Sequence, residues 1–343
     1  MEATMAVHQA AWYRRMWEGA ADAVGATVAE LGPGRLLISR DATETVVSGH
    51  RVMLDHPATI DLALDKVLVH GLLETQGIPV PEHVELPASE LAGGATFMAR
   101  GPGGEYVVKP ADGSGGGAVT PGIRSVDELW RAGMAAAGIS SRVLVERAVP
   151  GDDYRLLFLD GHLLDAIRRA PPSVRGNGAS TVADLITEEN QRRLDDGGRG
   201  EVTRLLHVDL DSELTLRHRD LSLRSVLAPE QEVPVKRAVS DNARLDNVTV
   251  RDVSPEVVEA AAAAARASRL RLAGVDLVTP DRTRPLGEVS GAVLEVNGTP
   301  GLHYHYQVAD LDQATLVAVP VLDALLSAAE PRAQRPEPRR RNA

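Results

Sequence analysis

Apolar residues recur at helical spacing from about Ala3 to Ala20, and short alternating runs at Arg35–Ser39 and Thr45–Val47 read as strands. These sixty residues are too few for an independent enzyme domain. Asp65–Gln76 (DKVLVHGLLETQ) again has helical spacing, and Gly77-Ile78-Pro79-Val80-Pro81 stops it. A strand is expected over Glu105–Lys109, between two glycine clusters. Strands over Val143–Glu146 and Tyr154–Asp160 flank a turn at Pro150-Gly151-Asp152, and Thr181–Gln191 reads as a helix. Asp195–Gly200 reads as a flexible joint and Leu205–Val235 as irregular. An alanine-rich helix is predicted from about Pro255 to Arg271, with Ser254 as N-cap and Pro255 at the first helical position. Strands Gly274–Thr279 and Ala292–Asn297 and a helix over Leu311–Ala329 follow. The proline- and arginine-rich end, residues 331–343, is expected to be disordered.

A chain of 343 residues holds two or three packed subdomains. The formal net charge of −11 gives a field that repels phosphate backbones, which argues against a nucleic-acid partner or an anionic membrane surface. The short basic end reads as a solvated terminus. The absence of cysteine excludes disulfides, thiolate zinc sites and a cysteine nucleophile, so any metal must use oxygen or imidazole. No signal-like segment and no run of about eighteen apolar residues occurs, which makes a cytoplasmic location the expectation.

Of 37 lysines and arginines only Lys66, Lys109 and Lys236 are lysine. In a chain so biased toward arginine, a lysine suggests a place where a compact ammonium must meet a phosphate oxygen, although chance retention explains any single one. Lys109 ends the strand that feeds Pro110-Ala111-Asp112-Gly113-Ser114-Gly115-Gly116-Gly117-Ala118, where glycines would let backbone N–H groups close around phosphates. Gly113, Gly115 and Ala118 match a dinucleotide fingerprint, but Val119-Thr120-Pro121-Gly122 offers a turn where that motif needs a helix. No lysine follows a GxxxxG spacing, so a P-loop is excluded. A bare hairpin tip is the plainer alternative.

Near the far end, Asp276 lies between apolar strand residues, and alternation places Glu295 and Asn297 on one face of theirs. If the strands pair, the three side chains converge as hard oxygen donors of the kind that suits magnesium. An outward polar face of an edge strand is the alternative. His303 and His305 share a strand face on this reading, and without a third nitrogen or sulfur ligand they make a poor zinc site. His305 then either lies near substrate or is simply hydrogen-bonded.

Together, Asp65-Lys66, Gly77–Pro81, Val107–Pro110 with the glycine loop, Val145-Glu146, Pro150–Arg155, Arg168–Pro171, Gly176–Gly178, Ala273–Leu277 and Glu295–Gly301 resemble the ATP-grasp superfamily. The likeness is to the ATP-grasp part of cyanophycin synthetase and of the fused glutathione-synthesising ligases, from about Ala63 to Asp310. It implies an α/β (α+β) fold that holds the nucleotide between two α+β subdomains. The expected division is an N-terminal subdomain at 1–62, an ATP-grasp domain at 63–330 with a central lid at about 95–180, and the tail at 331–343.

The resemblance further implies that Lys66 and Lys109 contact ATP phosphates beneath Gly113, Ser114, Gly115 and Gly116. The segment from Glu146 to Val149 would meet adenine largely by backbone, and Asp153 would bond the ribose. Asp276, Glu295 and Asn297 would hold magnesium, with manganese as a substitute. Arg155, Arg169 and Lys236 would face the transferred phosphate or the acceptor carboxylate. Where the family commonly has an Asn and a glycine pair after the position of Lys236, this chain has Ser240, Arg244 and Leu245. The implied activity is ATP-dependent amide formation between a small-molecule carboxylate and an amine, through an acyl-phosphate. An ATP-grasp kinase or a non-catalytic ATP-binding module is the alternative, and a homodimer would be in keeping with such an enzyme.

Overall fold

The computed structural model describes residues 1–113, 115–198, 200–202 and 204–328. The expected tail, residues 331–343, and Ser114 of the glycine loop lie outside the described residues. The chain opens with α1 (Glu2–Val24), β1 (Thr27–Gly32), β2 (Arg35–Arg40), β3 (Thr43–Ser48), α2 (Pro57–Leu64) and α3 (Lys66–Glu74). It continues with β4 (His83–Pro87), α4 (Ala92–Arg100), β5 (Tyr106–Pro110), β6 (Thr120–Ile123), α5 (Val126–Ala137) and β7 (Arg142–Arg147). Next come β8 (Asp152–Leu159), β9 (His162–Arg169), β10 (Ser173–Arg175), α6 (Val182–Gly198), α7 (Leu210–Arg217), β11 (Glu232–Pro234) and β12 (Asn247–Thr249). Helix α8 (Pro255–Ala267), β13 (Leu272–Thr279), β14 (Ala292–Asn297) and α9 (Ala318–Ala328) complete it.

Two sheets carry the architecture, a four-stranded one in the order β4-β7-β5-β6 and a five-stranded one in the order β12-β9-β8-β13-β14. Neighbouring strands in both are antiparallel. Because side chains alternate along a strand, the two faces of β8 and β13 serve different cores. Tyr154, Leu156, Phe158, Ala273, Val275 and Leu277 pack toward α8, whose buried alanines let the helix lie close to the sheet. Leu157, Leu159 and Leu272 point the other way, into a core shared with Trp12, Tyr13 and Trp17 of α1 and with Val321, Leu322 and Leu325 of α9. The N-terminal helix is thus built into the main body. On that same face the next positions toward one end are Arg155 on β8 and, past Gly274, Asp276 on β13, which is where the site forms.

Several expectations are corrected. The span expected as the lid, about 95–180, contributes β5, β6 and β7 to the four-stranded sheet and β8 and β9 to the five-stranded one. The expected joint at Asp195–Gly200 is helical through Gly198, and the region expected to be irregular contains α7 and β11. The segment read as a turn, Thr120-Pro121-Gly122, is edge strand β6, where a proline is tolerated because its side of the ladder faces no partner. The last helix starts only at Ala318, after a single 3-10 turn at Leu311–Gln313, and Ala329 lies outside the described residues. His303 and His305 sit in a 3-10 turn (Leu302–His305), not on a strand face.

Candidate functional site

A cleft of about 840 Å³ lies between the two sheets. Its lining includes Lys66, Lys109, Gly113, Gly115, Gly116, Glu146, Val149, Asp153, Arg155, Arg169, Asp276, Glu295 and Asn297. Residues from both ends of the chain therefore meet around one space. Lys236 and His305 are not part of that lining.

Lys66 is the first residue of α3, and its place is fixed by the residue before it. Asp65 caps the helix by accepting from the Leu68 N–H at 3.0 Å and is gripped by Arg142 Nη2 at 2.6 Å. The Lys66 backbone N–H donates to the Ala111 carbonyl at 3.0 Å, and its Nζ donates to the Gly113 carbonyl at 2.8 Å, so helix and glycine loop are tied together. Burial lowers the pKa of Lys66 and nearby Lys109 adds to the effect, while Glu295 opposes it.

Lys109 Nζ lies 2.8 Å from Glu146 Oε1, both nearly buried, on paired strands β5 and β7. The Glu146 side chain is thus the counter-ion of Lys109, and Val149 brings the rest of the segment expected at adenine to the cleft wall. His70, which the sequence did not single out, stands 3.9 Å from Glu146 and bonds the Leu294 carbonyl through Nε2 at 2.9 Å. A lone histidine on an apolar helix face gave no distinguishing signal.

Register explains the acidic end. Asp276 is opposite Glu295 on β14 and opposite Arg155 on β8, and Gly274 is opposite Asn297. Asn297 Nδ2 lies 3.2 Å from Asp276 Oδ2 and 3.2 Å from Glu295 Oε1, which draws the three donors together. Arg155 donates through Nε and Nη2 to Asp276 at 2.6 and 2.5 Å. Burial would raise the Asp276 pKa, but Arg155 holds it down; burial and the Asp276 charge push Glu295 up. A divalent cation fits here: the donors are hard oxygens, and it would relieve the repulsion between adjoining buried carboxylates. No group of three His, Cys, Asp or Glu side chains suited to a metal occurs among the described residues, so phosphate oxygens would have to complete the shell.

Arg155, expected to face the transferred phosphate or the acceptor carboxylate, lines the cleft with its guanidinium bonded to Asp276. Arg169 is differently placed. Its Nη2 donates to the Val239 carbonyl at 2.9 Å, while its buried Nε has no partner. Asp153, close by, has a pKa pushed up to about 7 by burial, with Arg169 opposing and Asp276 adding. Lys236 faces away, its Nζ held by Asp209 Oδ2 at 2.7 Å and Asp241 Oδ2 at 2.9 Å. Burial would lower its pKa, but the two carboxylates raise it. It lines a smaller hollow of about 290 Å³ on the far side of Arg169. His305 is enclosed, its Nδ1 2.8 Å from buried Asp165 Oδ2, and burial lowers its pKa.

No family model matches the chain. It is 34% identical over 255 residues to cyanophycin synthetase from Nostoc sp., an alignment covering 72% of this chain and 27% of the relative. The glutathione biosynthesis bifunctional protein of Desulfotalea psychrophila is 26% identical over 273 residues, covering 76% of this chain and 34% of that one. The chain thus spans about a third or less of these relatives' length. The crystal structure of a bifunctional glutathione synthetase from Pasteurella multocida superposes with a TM-score of 0.54 at 22% identity, over 88% of this chain and 41% of that one. No described helix is long and apolar enough to cross a membrane.

Proposed function

We propose that this chain, an ATP-grasp protein by fold and by sequence similarity, joins a carboxylate to an amine at the expense of ATP. The observation that carries the reading is the meeting of Lys66, Lys109 and the glycine loop with Asp276, Glu295 and Asn297 around one cleft.

A carboxylate is a poor acylating agent because its oxygen is a poor leaving group. In the proposed reaction a carboxylate oxygen attacks the γ-phosphorus and the bond to ADP breaks. The amine nitrogen then attacks the acyl carbon, loses a proton, and phosphate leaves. Lys66 and Lys109 would spread the charge of the transferring group, with the loop amides of Gly113, Gly115 and Gly116. Asp276, Glu295 and Asn297 would hold magnesium, which when bound neutralises phosphate charge. Arg169, with its unpaired Nε, would receive the acceptor carboxylate or the departing phosphate. Cleft closure by the glycine loop would keep water from the acyl-phosphate. The product is proposed to be a small specialised peptide or γ-glutamyl-type amide.

Pairs of candidate acids and amines tested for ADP release, followed by product mass, decide the matter. Phosphate release that needs both substrates and an amide in the product is the expected result. Release that needs no amine, with a phosphorylated product, would establish a kinase instead.

A further inference from the structure

The turn after the metal-binding motif presents Tyr304 to the cleft, and two guanidinium groups lie over its ring. The Arg169 carbon is 4.6 Å and the Arg155 carbon 5.2 Å from the ring centroid. For Arg155 this adds to a bidentate grip on Asp276 that already fixes it. For Arg169 the ring is half of its support, because its only side-chain hydrogen bond among the described residues is one from Nη2 to the Val239 carbonyl, and its Nε is free. An aromatic face attracts a guanidinium and holds it flat without using any of its N–H donors. That leaves the fork of Arg169 available to an anion.

Tyr304 is itself held from behind. Its ring lies 4.1 Å from that of His303, tilted by 35°. His303 Nδ1 is 2.7 Å from the hydroxyl of Tyr13 on α1, with both side chains buried. Burial disfavours the charged form of both groups, so a neutral imidazole and a neutral phenol share this hydrogen bond. The N-terminal helix, outside the stretch that resembles the family, is thereby coupled to the cleft, and its Met5, Ala6 and Gln9 form part of the cleft wall.

We infer that Tyr304 is a positioning residue, set by His303 and Tyr13, whose ring orients Arg169 toward the anionic group of the acid substrate or of the phosphate leaving it. The inference rests on the ligase reading for its substrate, but its geometry concerns only Arg169 and an anion.

The experiment compares Tyr304→Phe, which keeps the ring, with Tyr304→Leu, which does not. With a turned-over acid–amine pair, Tyr304→Leu is expected to raise KM for the acid at least tenfold while KM for ATP stays within twofold. Tyr304→Phe restores the wild-type value, and Tyr13→Phe falls between. Calorimetric titration of inorganic phosphate into the MgADP-bound protein gives a readout that needs no turnover. There Tyr304→Leu and Arg169→Gln are each expected to weaken phosphate binding about tenfold with MgADP affinity unchanged. Wild-type phosphate binding in Tyr304→Leu overturns the inference. So does a Tyr304→Phe variant as impaired as Tyr304→Leu, since the hydroxyl and not the ring would then be at work. A wild-type protein that binds phosphate through Arg169 yet forms no amide with any pair defeats the ligase reading alone.

Discussion

Arg155 and Asp276 face each other across β8 and β13 and join by two hydrogen bonds, at 2.6 and 2.5 Å, deep in the cleft. A buried pair of this kind costs much when broken and little when replaced whole, because the penalty comes from the stranded charge. Asp276→Ala should therefore abolish turnover and destabilise the protein by about 3–5 kcal/mol in urea unfolding. Combining it with Arg155→Met should return most of the stability and none of the activity. A double variant no more stable than Asp276→Ala would mean that the pair does not carry the effect.

Glu295 adjoins Asp276 and is pushed toward its protonated form by burial and by that charge. Glu295→Gln removes a like charge, so the metal-free protein should unfold at a higher temperature than the wild type. The same change should lower turnover at least ~100-fold, as loss of charge stabilisation in the transition state does. Chelation should abolish wild-type turnover, and manganese should restore it. Thermal scans with and without magnesium, beside ADP-release assays, check these signs.

Gly116 has φ +74°, and a Cβ built there would stand 2.5 Å from Ser240 Cβ. Gly113 is also at positive φ, +98°, but has nothing within 4 Å. Gly113→Ala should then cost only backbone strain, about 1 kcal/mol, and leave KM for ATP within a few-fold. Gly116→Ala adds a collision with the segment that the loop rests on, and KM for ATP should rise at least tenfold. Equal effects from the two substitutions would refute a role for the Ser240 contact.

The groups that touch phosphate or metal on this reading were largely legible, because they sit in short motifs whose chemistry is local: Lys109 before its glycines, Asp276 and Glu295 between apolar strand residues. What joins them was not. Arg155 and Asp276 are 121 residues apart, and only strand register makes them partners. Arg155 and Arg169 read alike in sequence, yet one is consumed by a carboxylate and the other is left with a free donor. The counter-ions of Lys236 were not legible either, since Asp209 caps α7 and Asp241 ends the 3-10 turn Val239–Asp241. The shared strand face expected of His303 and His305 fails because Leu302–His305 is a tight turn, and His305 is hydrogen-bonded to Asp165, one of the two roles its sequence left open.

Glu128 supplies a test of stability against pH, away from the cleft. It is buried in α5, accepts from the Arg124 backbone N–H at 2.6 Å, and accepts from Arg217 Nη2 at 2.6 Å and His218 Nε2 at 2.9 Å. Burial alone would raise its pKa, but these partners bring it down from 4.5 to about 2. A carboxylate whose folded pKa is depressed adds stability that is full above its ordinary pKa and is lost as pH falls through the folded value. Because Arg217 is half exposed, solvent screening reduces the contribution to about 1–2 kcal/mol. Glu128→Gln should be less stable than the wild type by that amount at pH 7, and the gap should close between about pH 4.5 and about pH 2, the window between the two pKa values. Urea unfolding of both proteins across that range measures it, and a gap of constant size at acid pH would show that shape and not charge makes Glu128 fit.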